Sequence, residues 1–242
     1  MSLQEAVEAI PRKIMVLFFL VDTSGSMSGS KIGAVNTAIE EVLPELKDLS
    51  QSNADAQIKI AALQFSNGAS WLTPEPANAE IYRWNYLDAA GSTDMGAALL
   101  ELNSKLSIKA FMRETTGSFA PVLYLLSDGE PTDDFQNGLE ELRKNNWFKH
   151  AIKAAIAIGD DANKQTLAAF TGSMESVLEV HNSAMLKKMV KFVSLRSSQI
   201  ASRSIQAAVQ ENDSGEPVKQ QILNAQIAEA AAEIGDDGED EW

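Results

Sequence analysis

At 242 residues with 45% hydrophobic side chains, the chain can hold one large α/β domain or two small ones and bury a substantial core. Its formal net charge of −14, from 34 acidic against 20 basic residues, argues against a nucleic-acid-binding surface, which needs a basic face to neutralise phosphates. There is no cysteine, so disulfides and thiolate zinc sites are excluded, and a reducing, cytoplasmic setting is expected.

The longest strongly apolar run, residues 14–21 (IMVLFFLV), has eight residues, far short of the ~18 that a membrane span needs. It follows Arg12 and Lys13, as in a signal peptide, but leads straight into Asp22 and a polar loop, so it reads as a buried strand. No alternation of apolar and polar positions is present, the pattern of a central strand covered on both faces. The loop Asp22-Thr23-Ser24-Gly25-Ser26-Met27-Ser28-Gly29 follows. A helix is predicted over 30–48, with Ile32, Val35, Ile39, Val42, Leu43 and Leu46 on one stripe; Pro44 should kink it or end it early.

Residues 58–65 read as a second strand and 69–73 as a short third. The interval between them is too small for a helical crossover, so the two should form an antiparallel hairpin turning at Asn67-Gly68. Residues 74–92 look irregular, and 94–106 helical, with Met95, Ala98, Leu99 and Leu102 inward. Another unbroken apolar strand spans 122–126 and stops at Ser127-Asp128-Gly129. A helix over 134–145, a strand over 154–158 ending at Gly159-Asp160-Asp161, a short helix over 163–170, a last strand over 176–180 and a long helix over 183–210 complete the pattern. This alternation implies an α/β fold with a doubly wound, mostly parallel central sheet, one antiparallel edge strand, helices on both faces and right-handed crossovers.

The expected division is a lead-in over 1–12, one domain over 13–200 and a C-terminal helical, acidic extension over 201–242, part of it disordered. From Glu211 onward ten acids face one base, Lys219, so the extension supplies −9 of the net charge. Asn212-Asp213-Ser214-Gly215-Glu216-Pro217 is a linker-like break. Leu223, Ile227, Ala231 and Ile234 then recur near helical spacing, before an acidic run at 236–241. Two readings stay open: a frayed helix with a solvated tail, or an amphipathic helix that docks on this domain or on a partner.

Ligands of a doubly wound sheet sit beyond the carboxyl ends of its strands. Three polar segments fall at such places: Asp22, Ser24 and Ser26 after the first strand, Gly91-Ser92-Thr93-Asp94 at a helix start, and Asp128 after the strand at 122–126. All offer oxygen donors, a set suited to a hard divalent cation such as Mg²⁺ or Mn²⁺. The alternate spacing 22, 24, 26 lets a turning loop aim three side chains at one centre. An ion touched mainly by hydroxyls and waters keeps positive character and attracts an outside anion, the property needed to capture a partner's Asp or Glu. Singly, these pieces are common: Ser28, Ser92 or Thr93 could cap helices and Asp128-Gly129 could be a simple turn. Their joint occurrence carries the argument.

Asp-Thr-Ser-Gly-Ser-Met at 22–27, after an apolar strand, resembles the opening of the metal-ion-dependent adhesion site of von Willebrand factor A domains. Gly91-Ser92-Thr93 is similar to that family's threonine-bearing segment, and Leu-Leu-Ser-Asp-Gly at 125–129 to its final aspartate. The resemblance spans residues 13–195. It implies the same α/β fold, with Ser24, Ser26 and Thr93 contacting the ion and Asp22 and Asp128 acting directly or through water. The segments 127–134 (SDGEPTDD) and 157–162 (AIGDDA) further resemble the bacterial tellurium-resistance-associated A-domain proteins, which implies a partner among the Ser/Thr kinases or phosphatases of a stress module. The extension matches nothing in that family, and the zinc-binding tail of some relatives is impossible here without cysteine.

Enzyme chemistries fit less well. A haloacid-dehalogenase phosphatase needs a second carboxylate two residues after its nucleophile, where this chain has Ser24. A serine hydrolase needs a nucleophile elbow, which is absent, and a histidine base, for which only His150 and His181 exist. Ser30-Lys31-Ile32 is not a P-loop. The expectation is therefore a non-enzymatic, divalent-metal-dependent protein–protein interaction module without nucleic-acid or membrane partners. The alternatives are a metal-dependent phosphohydrolase using Asp22, and a scaffold whose contacts are made by the C-terminal helix. Glu130, Asp133, Asp134, Asp160 and Asp161 either ring the metal as a specificity surface or are solvated loop acids. Trp71 and Trp84 suit core packing and partner contact equally.

Overall fold

The computed structural model describes residues 12–113, 117–202 and 218–234. Its sheet holds seven strands: β1 (Lys13–Asp22), β2 (Ala56–Ser66), β3 (Gly68–Trp71), β4 (Ala77–Asn78), β5 (Val122–Ser127), β6 (Ile152–Ile158) and β7 (Val177–Val180), ordered β3-β2-β1-β5-β6-β7 with β4 also on β2. β1, β2, β5, β6 and β7 pair in parallel, while β3 and β4 run antiparallel along the outer edge of β2. This is the doubly wound arrangement with an antiparallel edge that the alternating pattern predicts.

The unbroken apolar strands are explained by two separate cores. Met15, Leu17, Phe19 and Val21 of β1 face one side, among side chains of the helices α1 (Ser30–Ser52) and α6 (Ser183–Ser202). Val16, Phe18 and Leu20 face the other, against α2 (Met95–Lys105), α3 (Phe135–Arg143), α4 (Asn146–His150) and α5 (Lys164–Thr171). Every β1 residue after Lys13 is buried, so no polar alternation survives. Among the described residues no helix is long and apolar enough to cross a membrane.

Pro44 does not end α1 early: it lies inside the helix, which runs on to Ser52. Pro44 and Glu40 both lie on the exposed face, so the Glu40 carbonyl that loses its partner turns to water, while Ile39, Val42, Leu43 and Leu46 stay packed. The helix expected over 134–145 is α3, and a short further helix, α4, follows it. Asn145 separates them: its side-chain oxygen accepts from Trp147 N (2.8 Å), capping α4, while its Nδ2 donates to Leu106 O (3.0 Å). Residues 74–92 are largely irregular, as expected, and Asn36 of α1 ties them down. Its Oδ1 accepts from Leu87 N (2.9 Å) and Trp84 Nε1 (3.0 Å), and its Nδ2 donates to Leu87 O (2.8 Å). Both tryptophans pack inward: Trp84 is buried, and Trp71 stacks edge-on against Phe18 and Phe111 and donates to Glu101. The part of the last helix expected over 203–210 lies outside the described residues.

A seventh helix, α7 (Val218–Ile234), docks on this domain. Leu223 and Ile227 join the core shared by α1 and α6. Its polar side fits an opening in the sheet. The β6–β7 register covers residues 155–158 of β6 and stops short of Lys153. Gln220 fills the gap: Lys153 N donates to its Oε1 (2.7 Å), and its Nε2 donates to Lys153 O (2.7 Å) and Ser176 Oγ (2.9 Å). Ser176 in turn donates to Asn224 Oδ1 (2.6 Å). The acidic run at 236–241 lies outside the described residues.

Candidate metal centre

Three loops leave the carboxyl end of the sheet and are stitched together by their backbones. Thr23 N donates to Phe65 O (2.8 Å), Ala90 N to Thr23 O (2.8 Å) and Gly25 N to Gly91 O (3.0 Å), joining the loop after β1 to the segment before α2. Thr93 N donates to Thr132 Oγ1 (2.9 Å) and Thr132 N to Thr93 O (2.9 Å), joining that segment to the loop after β5. Asp22, Ser24, Ser26, Thr93 and Asp128 all lie on these joined loops. All but Ser26 are buried.

Asp22, the last residue of β1, is fully enclosed. Its Oδ1 accepts from Ser24 N (2.8 Å) and its Oδ2 from Ser127 Oγ (2.5 Å). Burial pushes its carboxyl above the ordinary value of 3.8, only partly offset by the Ser127 and Ser24 hydrogen bonds, and neighbouring Asp128 pushes it the same way. The hydroxyls of Ser24 and Ser26 lie 3.0 Å apart. Met27, fully buried, anchors the loop between them and α1.

Ser127 escapes a motif-based reading, yet it positions both carboxylates. Its Oγ donates to Asp22 and accepts from Gly129 N (2.7 Å), holding the turn on which Asp128 sits. Gly129 has φ 74°, and a Cβ there would lie 2.7 Å from Asn163 O, so only glycine fits. The available signal was the register: Val21 pairs with Leu126, which puts Asp22 beside Ser127. The side chains of Ser28 and Ser92 do not cap helices. Ser28 donates to Ala89 O (3.1 Å) and Ser92 to Asn67 Oδ1 (2.7 Å).

The acids expected around the site have mixed roles. Asp133 caps α2 from another loop, accepting from Gly96 N and Ala97 N (2.8 Å each), because Asp94 is engaged by Gly68 N (2.7 Å). Asp134 caps its own helix through Asn137 N (3.2 Å). Glu130 accepts from Asn163 Nδ2 (3.0 Å), and Asp160 pairs with His181 Nδ1. His150 sits at the end of α4, bonded to Asn146 O (2.8 Å). Lys31, in the first turn of α1, places its ammonium 3.8 Å from Asp128 Oδ2 and 3.4 Å from Asp161 Oδ1.

The donor set suits a hard cation on one specific observation. Asp128 Oδ1 is buried and has no hydrogen-bond partner. A buried carboxylate oxygen without a partner is costly, and a cation with oxygen-rich coordination would satisfy it. Among the described residues no three His, Cys, Asp or Glu side chains gather in a way that could hold a metal, so an ion held here would draw its remaining donors from hydroxyls or water.

Comparison with known proteins bears on the fold and the family. The chain is 28% identical over 132 residues to mouse inter-alpha-trypsin inhibitor heavy chain 4, covering 52% of this chain and spanning only 13% of that relative. In three dimensions it resembles a von Willebrand factor type A protein from Catenulispora acidiphila, with 18% identity, a TM-score of 0.56 and coverage of 76% of this chain and 42% of that one. It also resembles proximal thread matrix protein 1 of the mussel byssus, in a form whose metal-ion-dependent adhesion site is occupied by zinc, with 17% identity, a TM-score of 0.51 and coverage of 75% and 46%. A family model for the von Willebrand factor type A domain matches residues 17–192, which takes in all three loops. On that match and on its fold, the chain belongs to the von Willebrand factor type A family.

Proposed function

We propose that this domain is a divalent-metal-dependent protein-binding module rather than an enzyme. Ser24, Ser26 and Thr93 would hold Mg²⁺ or Mn²⁺ with Asp22 and Asp128, and the bound ion would supply a Lewis-acidic position for an Asp or Glu of a protein partner. The observation that carries this reading is the unsatisfied, buried Oδ1 of Asp128 beside a second buried carboxylate. The zinc-filled adhesion site of the mussel protein supports the same chemistry and leaves the choice of ion to measurement. Asp22 has the wrong posture for a phosphohydrolase nucleophile, since it is enclosed and both its oxygens are engaged. α7 turns Leu223, Ile227 and Gln220 onto this domain, which weakens the reading in which that helix makes the partner contacts.

The narrower version places the module in the cytoplasm of a bacterium, beside a Ser/Thr kinase or phosphatase of a tellurium-resistance or stress system. Its support is the likeness of the segments 127–134 and 157–162 to that branch, and the absence of cysteine. Calorimetric titration of chelator-stripped protein with Mg²⁺, Mn²⁺ and Zn²⁺ tests the metal step; binding heat absent in wild type, or retained in Asp22→Ala/Ser24→Ala, would refute it. Pull-down of such a kinase and phosphatase with wild type and Asp22→Ala, in Mg²⁺ and in EDTA, tests the partner.

A further inference from the structure

One cation stands at the metal centre in a place that folding alone does not favour. Lys31 is the second residue of α1, where the helix dipole is positive and a basic side chain is disfavoured. Its side chain is only 14% exposed, and it reaches the loop that bears Asp128 by passing over Gly159. A Cβ on Gly159 would lie 2.9 Å from Lys31 Nζ, and the φ of 94° there favours glycine, so this lane stays open.

The ammonium at the end of that lane is underused. A lysine carries three N–H donors. Among the described residues its hydrogen bonding is limited to Asp161 Oδ1, at 3.4 Å. Asp128 Oδ2 stands 3.8 Å away. Both distances exceed the ~2.7–2.9 Å of a charge-assisted bond. Asp161 is exposed, so water competes with the ammonium for it. A largely buried cation with donors to spare, between two loose partners, is arranged for a further acceptor.

Asp128 shows where that acceptor belongs. Its Oδ1 is the buried oxygen without a partner, and its Oδ2 is the one that faces Lys31. With an ion on Oδ1, ion and ammonium would stand at the two oxygens of one carboxylate. A second carboxylate arriving from outside has the same bite and can bridge the same two charges.

We propose that Lys31 is the second contact of the partner's carboxylate, with one oxygen going to the ion and the other to this ammonium. Resting on the metal-dependent reading above, this role adds a selection to it. A hard ion alone accepts neutral oxygens, such as an amide carbonyl or water, as well as carboxylates. An ion beside a lysine favours the anion, so Asp or Glu is chosen over Asn or Gln. The second charge is useful here, because Glu130, Asp160 and Asp161 are exposed on the neighbouring loops and an incoming acid meets their repulsion.

The test titrates two blocked tripeptides, acetyl-Gly-Asp-Gly-amide and acetyl-Gly-Asn-Gly-amide, into the full chain saturated with Mg²⁺, followed by NMR to millimolar peptide. Wild type should prefer the Asp peptide. Lys31→Met should bind that peptide about tenfold more weakly and the Asn peptide unchanged. In protein labelled with ¹³C at lysine Cε, the Lys31 signal should move with the Asp peptide and stay with the Asn peptide. Lys187→Met, which removes a lysine of α6 paired with Glu41, should match wild type. Wild type that binds neither peptide, or binds the Asp peptide equally well in EDTA, would overturn the metal reading and this role with it. A Lys31→Met chain that keeps its affinity for the Asp peptide, or loses both peptides equally, would overturn the role of Lys31 alone.

Discussion

Two helices of this domain cross with their backbones in contact, and one added methyl should show it. A Cβ built on Gly138 of α3 would lie 2.5 Å from Gly96 O and 2.9 Å from Gly96 Cα of α2; on Gly96 it would lie 2.5 Å from Asp134 O. Ordinary van der Waals contact begins at 3.4 Å, so Gly138→Ala forces the helices apart by close to 1 Å. Overpacking costs about 1–3 kcal/mol, and a clash against backbone on both sides sits at the upper end. Better helix propensity returns up to about 1 kcal/mol. The net loss is about 2 kcal/mol, a fall in Tm of roughly 4–8 °C for a domain this size. Gly33→Ala is the matched control: Gly33 is inside α1, and an added Cβ meets nothing within 4 Å, so it should gain about 0.5–1 kcal/mol. Urea unfolding of both variants reads the two signs directly. Because α2 begins beside Thr93 and α3 beside Asp133, Gly138→Ala should also weaken Mg²⁺ binding several-fold. A Gly138→Ala protein as stable as wild type would refute the close crossing.

Three further outcomes follow from the site and its surroundings. Burial raises the Asp22 carboxyl above 3.8, so the folded chain holds that proton more tightly; the resulting stability is full below the unfolded value and is lost as pH rises through the folded one. In EDTA, Asp22→Asn should therefore gain on wild type as pH climbs from 4 to 8. It should also miss the roughly 2.7 kcal/mol that Mg²⁺ at a hundred times its Kd gives wild type; identical pH slopes in thermal scans would remove buried charge as the cause. Lys31→Met removes an ammonium 3.8 Å from Asp128, so Mg²⁺ affinity should rise about tenfold at low salt by calorimetry; a fall would mean that Lys31 organises the site instead of competing for it. Gln220→Leu strands the Lys153 amide and carbonyl, at a cost of about 1–3 kcal/mol, and should abolish hydrogen-exchange protection at that amide. Unchanged protection would show that the backbone pairs elsewhere.

What the sequence revealed and what it hid follow one physical divide. β1, β5 and β6 were legible because burial on both faces removes alternation, and the β2–β3 hairpin because its linker is too short for a helix. The loops bearing Asp22, Thr93 and Asp128 were legible because each motif is local. The continuation of α1 past Pro44 was hidden because propensity rules do not know which face of a helix meets water. Ser127 and Asp133 were hidden for a related reason. Ser127 acts on Asp22 across 105 residues, and Asp133 caps a helix 36 and 37 positions upstream, so neither role leaves a mark in its own neighbourhood. The apolar positions of α7 were visible, but the fit of Gln220 to Lys153 depends on where β7 happens to start.

That last contact bears on how the molecule avoids polymerising. β6 begins three residues before β7 reaches it, and an unpaired stretch of strand is a template onto which another chain can add its own strand. Natural sheets blunt such edges with charge, bulges or a covering element. Here a primary amide on a helix imitates one residue of a neighbouring strand, donating and accepting as a peptide group would. The helix that reads in sequence as an appendage thus works as a stopper, and removing it would bare the apolar surface under Leu223 and Ile227 together with a sticky seam.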